Sequence, residues 1–187
     1  MAESTRDDFA HTPDFRDKMQ TEIAVGRIAQ DAGVGVDMHG QVEMPGFDPA
    51  GNPSNAIGIG MGRAPGGFAE QGFAQTDAQS RELAAHALNV NGTTIDDVRR
   101  FRDALTTAGW IARGDTQGFV GPDGKWSPID LTSYGQPGVN GLSAMTPAEI
   151  AFHNQEQFDR YIASLQSSHD AAAAGTFDGV DLLAPTP

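Results

Sequence analysis

Glycine and proline crowd residues 33–75, and this limits what the chain can fold into more than any other feature. The stretch contains MPGFDPAGNPSNAIGIGMGRAPGGFAEQGF, with prolines at positions 45, 49, 53 and 65. Proline lacks the backbone N–H that a helix interior or a central strand requires. The pattern therefore predicts an extended arm over residues 34–75 with no regular structure of its own.

Isolated apolar side chains interrupt this predicted arm. Apolar anchors separated by turn residues are typical of a segment that docks into pockets on a neighbouring subunit, and a flexible linker is the alternative. We predict that the docking residues are Phe47, Ile57, Ile59, Met61, Phe68 and Phe73, with Tyr134 in a second turn-rich segment.

Residues 76–127 carry, in contrast, the signals of a small folded unit. Capping patterns predict two helix starts, at Thr76 with Gln79 and at Thr94 with Asp97. Gly92 lies in the turn between the helices, where it is free to take a positive φ. The run Gly121-Pro122-Asp123-Gly124 predicts a β-hairpin. The predicted buried residues are Leu83, Ala84, Ala87 and Leu88 in the first helix, and Ile95, Val98, Phe101 and Leu105 in the second.

The flanking segments complete a fold that we predict to be mainly α with long irregular Gly/Pro-rich arms around a helix-turn-helix-like core and a short β-hairpin. Residues 1–33 form an N-terminal arm and a helix that starts at Thr12-Pro13, and residues 128–145 form a linker arm. Residues 146–187 form a C-terminal helix and tail. Thr146, Pro147 and Glu149 mark the start of that helix.

The charge is strongly acidic, at −13 for 187 residues, and the excess of acid lies in the two flanks rather than in the central unit. An acidic protein repels nucleic acid and acidic membranes, so we expect protein subunits as partners. The polar N-terminus resembles no signal peptide, and no long apolar run predicts a membrane span. We expect a virion or cytoplasmic location.

Residues 82–98, ELAAHALNVNGTTIDDV, are similar to the helix-turn-helix of bacterial winged-helix proteins, and the resemblance extends to residue 119. It implies a second helix that enters the major groove of DNA. The implied nucleic-acid contacts are Arg99, Arg100, Arg102 and Arg113. Asn89 replaces the usual turn glycine, and Asp96 and Asp97 would face phosphates, which opposes DNA binding.

A second resemblance covers part of the same unit. DDVRRFRDALTTAGW followed by GPDGKW is similar to the start of the peptidoglycan-binding repeats of cell-wall hydrolases. It implies a cell-wall-binding module. The apolar helix that completes such a repeat is missing, because residues 128–141 are again rich in turn formers.

No residue pattern indicates catalysis. The five histidines (His11, His39, His86, His153 and His169) lack the paired spacing of metal ligands, and the chain has no cysteine and no Gly-x-Ser-x-Gly motif. The run Gly58-Ile59-Gly60-Met61-Gly62 lies between prolines that remove the strand and helix of a dinucleotide site. We therefore predict no catalytic residue, no metal and no cofactor.

These observations together predict a non-enzymatic structural or assembly component of a large complex that docks through extended arms. We expect a minor virion protein of a tailed bacteriophage. The alternatives are a winged-helix DNA-binding regulator and a cell-wall-binding module.

Overall fold

The computed structural model describes residues 13–47, 52–139 and 141–184. Within these ranges the fold is mixed α/β, with four α-helices and several small two-stranded antiparallel sheets. The helices are α1 (Pro13–Asp31), α2 (Asp77–Ala87), α3 (Gly92–Thr107) and α4 (Pro147–Ala173). The paired strands are β1 (Met38–Phe47) with β2 (Pro53–Met61), β3 (Ile111–Ala112) with β6 (Tyr134–Gly135), β4 (Gln117–Val120) with β5 (Trp126–Ile129), and β7 (Thr176–Phe177) with β8 (Val180–Asp181).

The predicted irregular arm is wrong over most of its length, because β1 and β2 form a long antiparallel hairpin inside it. Pro45 pairs with Asn55, and Pro53 pairs with Phe47, two residues further along the register. Pairs in an antiparallel ladder alternate between hydrogen-bonded and non-hydrogen-bonded, so both prolines fall in pairs of one kind. A proline has no N–H to give its partner strand. The two prolines therefore occupy positions whose nitrogen faces outward, where they do not interrupt the ladder.

Residues 62–75 lack regular structure, as predicted, but they lie against the body of the molecule. Ala69 and Glu70 are buried. Gly67 exchanges two backbone hydrogen bonds with Val120 of β4, at 2.9 and 3.4 Å. This segment is part of the folded unit and not a free arm.

The core extends well beyond the predicted central unit. The inner face predicted for α3 is confirmed, since Ile95, Val98, Phe101 and Leu105 are all buried. The Phe101 ring lies 5.4 to 6.0 Å from three other buried rings, which belong to Trp126, Tyr134 and Phe158. One continuous cluster of buried apolar residues runs from Val25 in α1 to Phe177 in β7.

The cap of helix α3 lies three residues earlier than the cap predicted at Thr94. Asn91 is the cap: its side chain accepts a hydrogen bond from the Thr93 N–H at 2.8 Å, and the Thr94 hydroxyl accepts from the Asn91 N–H at 3.0 Å. Gly92 is consequently the first helical residue rather than a turn residue. Thr94 and Asp97 lie inside the helix, and both are buried. In α2, Ala84 and Ala87 are buried as predicted, but Leu88 is exposed.

The predicted hairpin after α3 is confirmed. The Gly124 N–H donates to the Gly121 carbonyl at 3.0 Å, and Gly124 takes a φ of +76° that suits glycine. The Thr94 hydroxyl donates to the Gly124 carbonyl at 2.6 Å. This bond ties the hairpin turn to the first turn of α3.

The segment predicted as a linker arm at residues 128–145 is only partly irregular. It contains the end of β5, a 3₁₀ turn at Leu131–Ser133, and β6, which pairs with β3. The pairing buries Tyr134 in the core. Trp110, which precedes β3, stays half-buried at the surface.

The C-terminal helix start is confirmed at Thr146, with a capping box to Glu149. The helix buries Phe158 and Leu165 and continues to Ala173. The predicted tail then folds back as β7 and β8. The Arg81 guanidinium of α2 holds this return by donating to the carbonyls of Leu182, Asp181 and Ala184 at 2.8, 3.0 and 3.1 Å.

Candidate functional site

The β1–β2 pair carries several exposed residues, and we call it the projecting hairpin. Its packing against other elements concentrates on α1, where Met38 is buried and Ile59 contacts the core. Farther along the hairpin, Gln41, Glu43, Pro45 and the start of β2 at Pro53 are exposed.

Both long edges of the projecting hairpin carry backbone groups without a neighbouring strand in the described chain. Every second pair of the ladder, counted from the pairs that contain the two prolines, points its backbone N–H and C=O groups outward. On β2 these are Asn55, Ile57 and Ile59, which offer an unbroken row of N–H and C=O groups. On β1 the row is interrupted at Pro45. The β2 edge is therefore the better template for another strand.

A cavity of about 210 Å³, which we call the root pocket, lies where the projecting hairpin joins the body. Met38 and Met61 face each other in the register there, and both line the pocket. Gly26 of α1 permits the close approach, because a Cβ at this position would overlap the Met38 side chain. The pocket has two carboxylates in its lining, those of Glu22 and Asp130.

The root pocket has negative charge in its lining, from Glu22 and Asp130. Burial and the charge of Asp130 raise the pKa of Glu22. The Asp130 carboxylate accepts hydrogen bonds from the Thr132 and Ser133 hydroxyls at 2.7 and 2.9 Å. No lysine or arginine is among the lining residues.

Two predicted docking residues come together in a second place. The Phe68 and Phe73 rings stack with centroids 5.0 Å apart, and Phe119 meets Phe68 edge-on at 5.1 Å. We call these three residues the aromatic cluster. It borders a cavity of about 390 Å³ whose lining also includes Glu82 and His86. Sequence reasoning missed Phe119, although its place in the predicted hairpin beside Val120 was a signal.

The remaining predicted docking residues lie in different parts of the structure. Ile59 and Met61 lie at the root of the projecting hairpin. Phe47 and Ile57 belong to β1 and β2, but their side chains are outside the part of the structure that is described. Tyr134 is a correction: its ring is buried against Phe101, so it offers no docking surface. Burial raises the pKa of its phenol.

The arginines expected to contact nucleic acid are mostly engaged with aspartates. Arg99 lies 3.7 Å from Asp96, and Arg100 pairs with the buried Asp97. Arg102 contacts Asp103 at 2.8 Å and reaches Asp159 of α4 at 3.9 Å. Arg113 is exposed and forms no ion pair within the described ranges. The face of α3 that would approach DNA is thus charge-balanced.

The most perturbed ionisable groups lie inside the protein. Burial raises the pKa of Glu70, and the same cause raises the pKa of Tyr161. The Trp126 indole N–H donates to the Tyr161 hydroxyl at 2.9 Å, and Glu70 is hydrogen-bonded to that hydroxyl and to the Ala69 N–H. These groups line none of the cavities described above and satisfy one another, which fits a structural role.

A second buried polar residue, Asn154, joins α4 to the end of α3. Its amide donates to the Thr106 hydroxyl at 2.9 Å and to the Trp110 carbonyl at 2.8 Å, and its carbonyl accepts from the Ala112 N–H at 3.2 Å. Within the described ranges, no three His, Asp or Glu side chains gather as metal ligands would. None of the helices seen here is both long and apolar enough to cross a bilayer.

Comparison with protein-family models, curated proteins and solved structures finds no match to this chain. The resemblances to winged-helix proteins and to peptidoglycan-binding repeats therefore stay predictions.

Proposed function

We propose that this protein is a non-catalytic structural subunit that joins a larger protein assembly through the projecting hairpin. The observation that carries the proposal is a two-stranded ribbon with exposed distal residues, whose two edges pair with no further strand of the described residues. An isolated two-stranded hairpin is marginally stable in water, and an open edge is a template for pairing. A ribbon of this kind gains stability when a partner strand adds to it.

The interior chemistry supports a non-catalytic role. The buried carboxylate Glu70 is held by its own hydrogen bonds and lies away from the pockets described above. A catalytic acid or base has to reach the substrate proton that it transfers.

The setting that we propose is the virion of a tailed bacteriophage, with this chain as a minor component.

The proposal is preferred over a DNA-binding regulator because of charge. The chain carries −13, and three of the four candidate arginines face aspartate partners. A DNA-binding surface needs cations that are free to neutralise phosphates. Duplex binding at low salt that is lost on Arg99→Ala and Arg100→Ala would favour the regulator instead.

A cell-wall-binding module is the second candidate, and the aromatic cluster favours it. The exposed Phe73 ring and the half-buried Phe68 ring lie beside polar side chains such as Glu82 and His86. Such rings are suited to flat ligands that carry hydroxyl groups. The test is co-sedimentation with purified peptidoglycan, comparing the wild type with Phe73→Ala. Retention that depends on Phe73 would support this module, and equal recovery of both proteins in the supernatant would oppose it.

The experiment for the main proposal shortens the projecting hairpin. Residues 43–57 are replaced by Asn-Gly, a favoured two-residue turn, so that Val42 and Gly58 close the hairpin. Both forms, tagged, are expressed in the source cell, and extracts are separated by sedimentation. We expect the full chain in a high-mass fraction and the shortened chain in the light fraction.

Circular dichroism and thermal melting of the purified shortened chain control for its folding. The body should melt as in the full chain, because the core cluster lies outside residues 43–57. The proposal is overturned if the full chain sediments as a free monomer, or if a folded shortened chain still enters the high-mass fraction.

A further inference from the structure

The root pocket combines an apolar lining with two acidic residues, Glu22 and Asp130, which we call its acidic rim. Its apolar lining comes from five different segments and includes Ala29, Val36, Met38, Met61, Phe119 and Leu131. Its volume of about 210 Å³ equals roughly seven water molecules at liquid density.

The rim supplies negative charge without a cation. Glu22 is half-buried and forms no hydrogen bond or ion pair within the described residues, and Asp130 is bonded only by hydroxyl groups of its own loop. Two neighbouring carboxylates beside apolar surface repel each other. A positive charge placed between them would relieve that repulsion.

A divalent metal ion is the wrong occupant for this pocket. Ca²⁺ takes six to eight oxygen ligands and Mg²⁺ takes six, whereas most of the lining here is carbon. A lysine or arginine side chain has the complementary form, since a flexible apolar stem ends in a charged head.

The position of the pocket connects it to the proposed docking edge. Strand β2 runs toward the pocket, and its last residue, Met61, lines it together with Gly62 and Ala64. A partner strand on the outward row from Asn55 to Ile59 would therefore pass the pocket at its end. This placement rests on the proposed function.

We infer that the root pocket receives a lysine or arginine side chain from the partner segment that pairs with β2, with the stem among the apolar residues and the cation between Glu22 and Asp130. The partner is thus an extended segment with a basic residue beside its pairing region. An acidic chain is complementary to such a partner over a longer range as well.

The test uses n-hexylammonium as the probe and neutral n-hexanol as its matched analogue. The protein carries ¹³C-labelled methionine methyl groups, and the shifts of Met38 and Met61 report on the pocket directly. We expect saturable shifts with n-hexylammonium and about three- to tenfold weaker binding of n-hexanol.

Three variants make the charge recognition falsifiable. Glu22→Gln and Asp130→Asn each remove one rim charge, and asparagine tolerates the positive φ of 48° at position 130. Glu156→Gln, an exposed carboxylate of α4 that lines none of the cavities described above, is the control. We expect about three- to tenfold weaker n-hexylammonium binding for each rim variant and no change for the control. Equal binding of both probes, or unchanged binding by both rim variants, overturns the inference.

The outcome separates this inference from the proposed function. The shortened hairpin keeps Met38 and Met61, so it should still bind n-hexylammonium even if it no longer enters an assembly. If the full chain forms a homodimer that Glu22→Gln dissociates, the occupant is a second copy, and the inferred partner is wrong. If Glu22→Gln assembles as the wild type does while its probe binding is weakened as expected, the pocket has no part in docking, which also overturns the inference.

Discussion

Two adjacent aspartates of α3 show how far residue type alone is from residue role. Asp96 is exposed and faces Arg99. Asp97 is buried and accepts a hydrogen bond from the backbone N–H of Trp126 at 3.0 Å. The sequence pattern assigned Asp97 to a helix cap. The helical period held the better signal, because position 97 lies on the same face as Thr94 and Phe101.

We expect Asp97→Ala to destabilise the protein by about 2 kcal/mol, because it leaves the buried Trp126 N–H without an acceptor. Asp96→Ala, one residue away, should change stability by less than about 0.5 kcal/mol, since an exposed ion pair contributes little. Urea denaturation measures both free energies of unfolding. Equal midpoint shifts for the two variants would contradict the role assigned to Asp97.

Glu70 should give the stability a defined dependence on pH. Burial raises its pKa above 4.5, so the folded state holds this proton more tightly than the unfolded state does. Relative to Glu70→Gln, the wild type should therefore lose stability as pH rises from 4.5 through the raised pKa, and the difference should be constant below 4.5. The measurement is urea denaturation of both proteins from pH 4 to pH 8.

Glu149 provides a control of opposite sign. Hydrogen bonds from Thr146 lower its pKa below 4.5, so the stabilisation it gives is present above 4.5 and is lost as pH falls through the lowered pKa. The Glu149→Gln comparison, extended to pH values below 4, should thus slope the other way. A Glu70 difference that rises with pH would show that its carboxylate is stabilised rather than destabilised by its surroundings.

At the scale of elements, the projecting hairpin is the largest departure from the sequence prediction. Proline content was taken to exclude a ladder, but what matters is which way each proline nitrogen faces. Pro45 and Pro53 share one register parity and leave the inward hydrogen bonds intact. The spacing of the prolines can be read from the sequence. Whether each proline nitrogen faces outward depends on the register with the partner strand, which the sequence does not show.

This parity can be tested with new prolines at neighbouring positions. Glu43→Pro shares the outward parity and should leave the hairpin formed, whereas Val42→Pro removes an inward N–H. One lost ladder bond costs about 1 kcal/mol, which is large for a marginally stable ribbon. Hydrogen exchange at Gly58 measures the effect, with Val42→Ala as the control for side-chain loss. Similar exchange in both proline variants would refute the parity argument.

The closure of the C-terminal strands by Arg81 is a second element-scale feature that the sequence did not reveal. The guanidinium and its carbonyl partners are about a hundred positions apart in the chain. We expect Arg81→Met to speed hydrogen exchange at Leu182, which bonds to Gly175, while the core of α3 stays protected. Arg99→Met, at an exposed pair, is the control and should leave Leu182 unchanged.

At the scale of the whole molecule, local signals predicted well and long-range ones did not. The caps at Thr76 and Thr146, the inner face of α3 and the turn at residues 121–124 each depend on a few neighbouring residues, and all are confirmed. Tyr134 was misplaced because its burial depends on pairing with β3 and packing against Phe101. The candidate site was predicted only in part: Phe68 and Phe73 meet, but the root pocket needs segments from α1 to residue 131.

The continuous core predicts one cooperative unfolding transition. Because α1 and β7 both pack into the same buried cluster, we expect them to unfold together with the rest of the core. Scanning calorimetry should give equal calorimetric and van't Hoff enthalpies, and circular dichroism in the far and near ultraviolet should yield the same midpoint. Two resolved transitions would mean that the flanks fold apart from the centre.

The two tryptophans lie in different environments, so the intrinsic fluorescence of the protein can report on two places separately. Trp126 is sealed in the core and donates to Tyr161, whereas Trp110 stays half-buried beside α1. Native emission should therefore combine a blue component that iodide cannot quench with a redder one that it can. A ligand that binds next to Trp110 would quench only the redder component. Global unfolding would expose both tryptophans and leave a single red-shifted emission.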